Sequence, residues 1–298
     1  MRATGSMWRR CAWTVVDRRT VMRLERVDSL AAWPSSWRAV MAEWMNQLGE
    51  PVVPALPPGH SLRVLLDTAQ DRPLACARIV PPLPSDTLPP AQAGAASDAL
   101  RFHFRVGKLV HVSDELPLYN PQQILLMGND LCDAIEITDL AVDPQAQEGA
   151  LKLAHLLKAI VAEQASVVSG AAEGGDAATG AGAGVGTRTS APSRPLFVEL
   201  QGYRDAQGRS PFWRGLGGRF LPERGDAPGV GPTWRRDLAD LLPALPLYAS
   251  LMDDESRSCM GRTGPAAAMA LEALKGAGFR PSDYVKIDDA GPCWQLAL

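Results

Sequence analysis

Histidine is scarce in this chain: 298 residues hold four, His60, His103, His111 and His155. Any imidazole chemistry must draw on those positions. Cysteine is also sparse. Cys11, Cys76, Cys132, Cys259 and Cys293 are far apart and form no CxxC pair, which excludes a zinc knuckle or a disulfide framework and fits a reducing cytoplasm. No apolar run reaches the roughly 18 residues of a membrane span, and the arginine-rich start lacks an apolar signal core. A basic excess is missing too: the net charge is −3, which argues against a nucleic-acid surface. With 46% hydrophobic residues the chain has ample material for a buried core, and small molecules are the partners this composition favours.

The first 26 residues carry seven arginines against Asp17 and Glu25. A basic arm for an acidic partner is one reading; the preferred one is an upstream start codon, with Met22 or Met7 as the natural beginning. Between Ser29 and Leu48, apolar residues from Leu30 through Trp33, Trp37, Val40 and Trp44 recur at spacings of three and four, the pattern of an amphipathic helix. Leu62–Leu66 and Ala75–Val80 read as strands of a small hairpin around a polar turn. Residues 81–98 read as a Pro-, Ala- and Ser-rich connector. Residues 166–195 are almost pure Gly, Ala, Ser and Thr, too poor in apolar surface to order themselves. Their GAGAGVG run is no phosphate loop, since no strand leads in and no Lys-Ser/Thr helix leads out.

The densest chemistry lies between. Ile135 and Ile137 share one face of a strand, whereas Leu140 and Val142 fall in the opposite phase, so the period slips once near Thr138 and Asp139. A β-bulge is the simplest cause. A turn at Asp143-Pro144 follows, then helical spacing of Leu153, Leu156, Leu157 and Ile160. The intervening Gln147, Glu148, Gly149 and Ala150 offer either a phosphate-accepting helix start or an ordinary turn. Ser210-Pro211 reads as a helix start with core aromatics behind it. Cys259 has no neighbouring histidine and reads as a small buried thiol.

Several runs carry a family likeness. Phe104–Asp130 (FRVGKLVHVSDELPLYNPQQILLMGND) pairs with Gly202–Trp213 (GYRDAQGRSPFW); LPLY ending at Tyr248, Gly278-Phe279 and YVKIDDAGP from Tyr284 to Pro292 follow in order. On these the chain resembles the arginine N-succinyltransferases of the acyl-CoA N-acyltransferase superfamily, as a divergent member. The likeness covers roughly residues 101–164 and 196–298. It implies an α/β fold, a GNAT-like mixed sheet flanked by helices, with two related halves left open. It also implies transfer of succinyl from succinyl-CoA to the α-amine of L-arginine, with succinyl-CoA as co-substrate, no metal, and a homo- or hetero-oligomer with a related subunit. The implied organisation is a disordered basic extension (1–21), a divergent acyltransferase-like part (22–100) and a succinyltransferase-like core (101–298) interrupted by a disordered insertion at 166–195.

The same resemblance assigns roles. Free N–H groups of the bulged strand would hold the pantetheine and thioester, Leu140 matches a succinyl-CoA contact, and Gly149 and Ala150 would receive the pyrophosphate. The family's proton-donor histidine stands in a Val-His-Pro step; the aligned residues here are Thr263, Gly264 and Pro265. His111 is the surviving catalytic candidate, with a structural histidine as the competing reading, and His155 is expected at the surface. A guanidinium acceptor wants carboxylates in fork geometry, and Asp130, Glu136, Asp139 and Asp289 are the candidates. Lys286 and Ala290 replace an acid and a glycine of the family pattern around Asp288 and Asp289. Two alternatives follow: a catalytically silent subunit paired with an active relative, or an acyltransferase with another amine acceptor.

Overall fold

The computed structural model describes residues 14–17, 20–28, 37, 40, 56–83, 100–113, 115, 118–146, 148–173, 194–221, 234–243 and 245–298. Of the helix expected at 29–48 only Trp37 and Val40 are described, both helical, with Trp37 buried; the rest lies outside the described residues.

Eleven strands form one sheet among the described residues. In chain order they are β1 (Thr14–Asp17), β2 (Thr20–Val27), β3 (Ser61–Asp67), β4 (Arg72–Val80), β5 (His103–Ser113), β6 (Leu118–Gly128), β7 (Ile135–Val142), β8 (Leu196–Glu199), β9 (Leu247–Tyr248), β10 (Arg280–Lys286) and β11 (Pro292–Leu296). Their spatial order is β1-β2-β3-β4-β7-β8-β11-β10-β5-β6-β9. The β5–β6 hairpin therefore leaves its sequence neighbours and joins the far side of β10, while β4 pairs directly with β7. Every described pairing is antiparallel except β7 with β8. A parallel pair needs a crossover, and helix α1 (Gly149–Glu173) supplies it.

Shorter helices among the described residues include α2 (Trp234–Leu241), α3 (Asp254–Ser258) and α4 (Ala268–Gly276). Leu153, Leu156, Leu157 and Ile160 of α1 are all buried, with Leu274 of α4, against Leu65, Ala77, Ile137 and Val198 of the sheet. Burying one such side chain contributes about 1.5–3 kcal/mol, so this apolar stripe is what fixes α1 to the sheet. Arg63 adds direction to that packing, its Nε and Nη2 holding Glu163 of α1 at 2.6 and 2.8 Å in a fully buried fork. Ser210 precedes a helical stretch that starts at Pro211 and runs into a π-helical turn, Trp213–Gly217, and it accepts from Trp213 N at 3.2 Å; Phe212 and Trp213 fill a second core with Phe104 and Trp234.

Four local expectations change. Thr14–Asp17 is a strand paired to β2, as the β-branched run Thr-Val-Val favours an extended chain. Helix α1 runs to Glu173, into the Ala- and Ser-rich tract, since alanine is a strong helix former whatever its polarity. The 62–66/75–80 hairpin is longer and sits inside the sheet, with Pro73 accommodated at a register shift beside Leu65 and Leu66. His155 is half-buried on α1 rather than at the surface.

Candidate active site

The bulge is present where the pattern slips. Thr138 lies opposite Arg78 and Ala141 opposite Cys76, so Asp139 and Leu140 together face the single residue Ala77. Asp139 has φ 52°, the left-handed region. The extra residue turns Leu140 and Val142 onto the same core as Ile135 and Ile137. On the other side β7 pairs with β8 only at Ile135–Leu196 and Glu136–Phe197, and the two strands part beyond that point.

Helix α1 begins beside the parted end. Asp143 shapes the turn, accepting from Gln145 N and Ala146 N, and Glu148 (φ 59°) accepts the first helical bonds from Leu151 and Lys152. Gly149 and Ala150 thus lead the helix with N–H groups ahead of its internal ladder, and its first turn holds no acid. A Cβ on Gly149 would lie 3.1 Å from Met269 Sδ of α4 and 3.5 Å from Val142. The starts of α1 and α4 therefore meet at the end of the bulged strand.

The segment before α4 closes the opposite wall. Thr263 bridges Gly202, just past β8, and Gly264 N donates to Gln201 O at 3.2 Å. Asp289, fully buried, accepts from Gly202 N at 3.1 Å and Gly291 N at 2.8 Å, with Lys286 Nζ at 3.1 Å. A cleft of about 250 Å³ opens against this segment, lined by Arg262, Thr263, Leu271 and Trp294 among others. The larger cleft, about 550 Å³, crosses the β5–β6 hairpin between Arg105 and Asp283, away from the bulge.

An ionic cluster stands beside these elements. Glu199 of β8 meets His103 Nε2 at 2.6 Å and Arg235 of α2 at 2.7 Å. Burial alone would raise its carboxyl, but the Arg235 charge and the His103 hydrogen bond outweigh burial and hold it well below the usual range. Glu136 moves the other way, raised by burial and by the negative charge of Glu199 despite Arg101 at 3.5 Å.

The sequence-predicted residues separate into two groups. Gly149 stands against Val142, two residues past Leu140, and Leu140 itself packs on the core under α1. The carboxylates do not form a fork: Asp130 accepts from Tyr284 OH, Glu136 faces Arg101, Asp139 faces Arg78 and Asp289 clamps two glycines. His111 is removed from the crevice. It lies eight residues along β5 from His103, exposed on the hairpin and stacked on Tyr248. Strand alternation put it on a sheet, but the hairpin carries that part of β5 outward. Cys259 is buried, its thiol raised by that burial. Arg78, Glu199 and Arg235 were missed; the lone acid in the apolar run LFVEL was the available signal for Glu199.

The architecture is a mixed α/β sheet flanked by helices. Over 88% of this chain and 64% of the other, it is similar to the solved arginine/ornithine succinyltransferase subunit AI from Pseudomonas aeruginosa, with a TM-score of 0.51 and 22% identity. In sequence, residues 189–298 match the family described as arginine N-succinyltransferase beta subunit. The chain is 30% identical over 198 residues to arginine N-succinyltransferase of Yersinia enterocolitica, and 31% identical over 199 residues to arginine N-succinyltransferase subunit beta of P. aeruginosa. Each match covers 64% of this chain and 50% of the relative, so the chain spans about half the length of the curated relatives it matches. Over the matched residues the chain is similar to the arginine N-succinyltransferases. Among the described residues no helix is long and apolar enough to cross a membrane.

Proposed function

We propose that this chain is a cytoplasmic acyltransferase of GNAT-like fold that binds succinyl-CoA and transfers the succinyl group to the α-amine of L-arginine. The observation that carries the reading is the bulged β7, parted from β8 after two residue pairs and continued into an acid-free helix start at Gly149 and Ala150. In such an opening, strand N–H groups freed from the ladder can hold a thioester oxygen, and the helix start favours phosphate. The amine, in its neutral form, attacks the thioester carbonyl; the N–C bond forms, the C–S bond breaks, a proton leaves the nitrogen to solvent, and the departing thiolate takes one up. The family likeness would put the proton donor at position 264. Gly264 has no side chain, so water or substrate must carry that proton. Loss of a general acid costs about 10²- to 10⁴-fold while positioning survives, and a slow enzyme is the outcome.

The runner-up is a silent subunit working with an active relative; Gly264 favours it, as does the beta-subunit name of a relative. A different amine acceptor is favoured by the carboxylates each having a partner within the chain. The test is to mix the purified chain with succinyl-CoA and L-arginine and follow free CoA thiol. Slow arginine-dependent release supports the transferase. Release only after adding a histidine-bearing relative supports the silent subunit, and release only with another amine supports the third reading.

A further inference from the structure

The bulge in β7 needs a cause, because a non-glycine residue in left-handed conformation costs free energy and persists only where its surroundings hold it. Two residues of β4 meet Asp139. Arg78 Nε lies 2.6 Å from Asp139 Oδ2, and both side chains are largely buried, 17% and 4% exposed. Cys76 Sγ lies 3.9 Å from the Asp139 carbonyl that the bulge releases from the ladder. Thr138 Oγ1 adds a contact to Asp139 Oδ1 at 3.3 Å. Ala75, Ala77 and Ile79 of β4 face the core under α1, and Cys76 belongs to the cluster on the opposite face. Strand alternation puts Arg78 with Cys76 on that opposite face.

We propose that Arg78 is a positioning residue for acyl-CoA: its ion pair with Asp139 locks the bulge from the face away from α1 and so fixes the phase of Leu140 to Val142. This rests on the acyl-CoA reading of β7. The charge pair has a physical reason to be local and strong. Burial penalises the Asp139 carboxylate and raises its pKa, while the Arg78 cation offsets that penalty. Remove Arg78 and the carboxylate is buried without a counter-charge. The cheapest escape is for Asp139 to swing toward water and the strand to slip back to regular pairing, which would turn Leu140 and Val142 to the other face. Arg78 itself touches no ligand in this account, so it acts only through the strand.

The experiment measures amide hydrogen exchange at Leu140–Val142 and succinyl-CoA affinity, in the wild type, Arg78→Met, Arg78→Lys and Asp139→Gly. Met keeps the stem without charge, Lys keeps the charge, and Gly tolerates the backbone conformation without the carboxylate. The expected result is that Arg78→Met and Asp139→Gly each speed exchange at 140–142 and weaken binding by about tenfold, the size typical of coupling between contacting charged residues, while exchange at Leu65 stays put. Arg78→Lys should recover part of both. Combining Arg78→Met with Asp139→Gly should cost no more than either alone. Unchanged exchange and affinity in Asp139→Gly would overturn the latch even if Arg78→Met failed to fold. If the wild type bound no succinyl-CoA, the ligand reading would fall, and exchange at 140–142 alone would decide the latch.

Discussion

The carbonyl oxygen of Gly202 lies 3.0 Å from where a Cβ on Gly264 would stand. Gly264 itself has ordinary extended backbone, φ −73° and ψ 162°, so its side chain is limited by that one neighbour rather than by conformation. Gly264→His should therefore fold after a shift of a few tenths of an ångström. Arginine-dependent CoA release should rise by a factor on the order of 10² in this variant, as expected for restoring a general acid. A flat rate with succinyl-CoA still bound would shift the account to the silent subunit.

Backbone crowding around Asp289 makes a second prediction. A Cβ on Gly202 would collide with the Asp289 carbonyl, and one on Gly291 with the Leu200 carbonyl. Neither obstacle can rotate away. Gly202→Ala and Gly291→Ala should each lower stability by about 1–3 kcal/mol or more, the range for overpacking. Gly208→Ala tests strain alone, since it has positive φ (75°) but open space around the new Cβ; its loss in urea unfolding should be about 1 kcal/mol. Equal losses at all three positions would contradict the crowding argument.

The two glutamates beside β8 should give opposite pH signatures. The folded-state carboxyl of Glu199 is depressed below its usual 4.5, so its stabilising contribution is complete above that pH and is lost as pH falls through the folded value. Glu136 is raised, so its ionisation destabilises the fold as pH climbs from 4.5 through the raised value. Accordingly, Glu199→Gln should cost about 1–3 kcal/mol at pH 7, because it leaves Arg235 only the longer contact to Asp288 at 3.7 Å and removes the acceptor charge beside His103, and should flatten the acid limb of the stability curve. Glu136→Gln should stabilise at pH 7 and approach neutrality near pH 4. Parallel shifts in both variants would refute the assigned directions.

The bulge was legible because Ile137 and Leu140 are both apolar and cannot share a face in a regular strand. Its lock was not, since Arg78 lies about sixty residues earlier and an ion pair across strands leaves no local pattern. The same holds for the carboxylates: Asp130, Glu136, Asp139 and Asp289 look available in sequence, and only the fold reveals Tyr284, Arg101, Arg78 and the two glycine amides that occupy them. Strand order was equally hidden. Nothing in Phe104 or Met127 announces that their hairpin passes over to β10, because neighbour choice in a sheet is set by non-local packing. Helix α1 was legible in its buried stripe but not in its length, because an Ala- and Ser-rich tract can read as either helix or coil.

The most direct measurement is calorimetric titration of succinyl-CoA into the wild type, Leu140→Arg and Ala150→Glu, with circular dichroism to confirm the fold. An acid in the first turn favours the helix but repels phosphate, so Ala150→Glu separates ligand binding from stability. The account predicts saturable one-to-one binding in the wild type, weakened at least about tenfold by either substitution, since each opposes the ligand by an interaction of roughly 1.4 kcal/mol or more. Wild-type affinity in a folded Ala150→Glu variant, or no binding in the wild type, would contradict it.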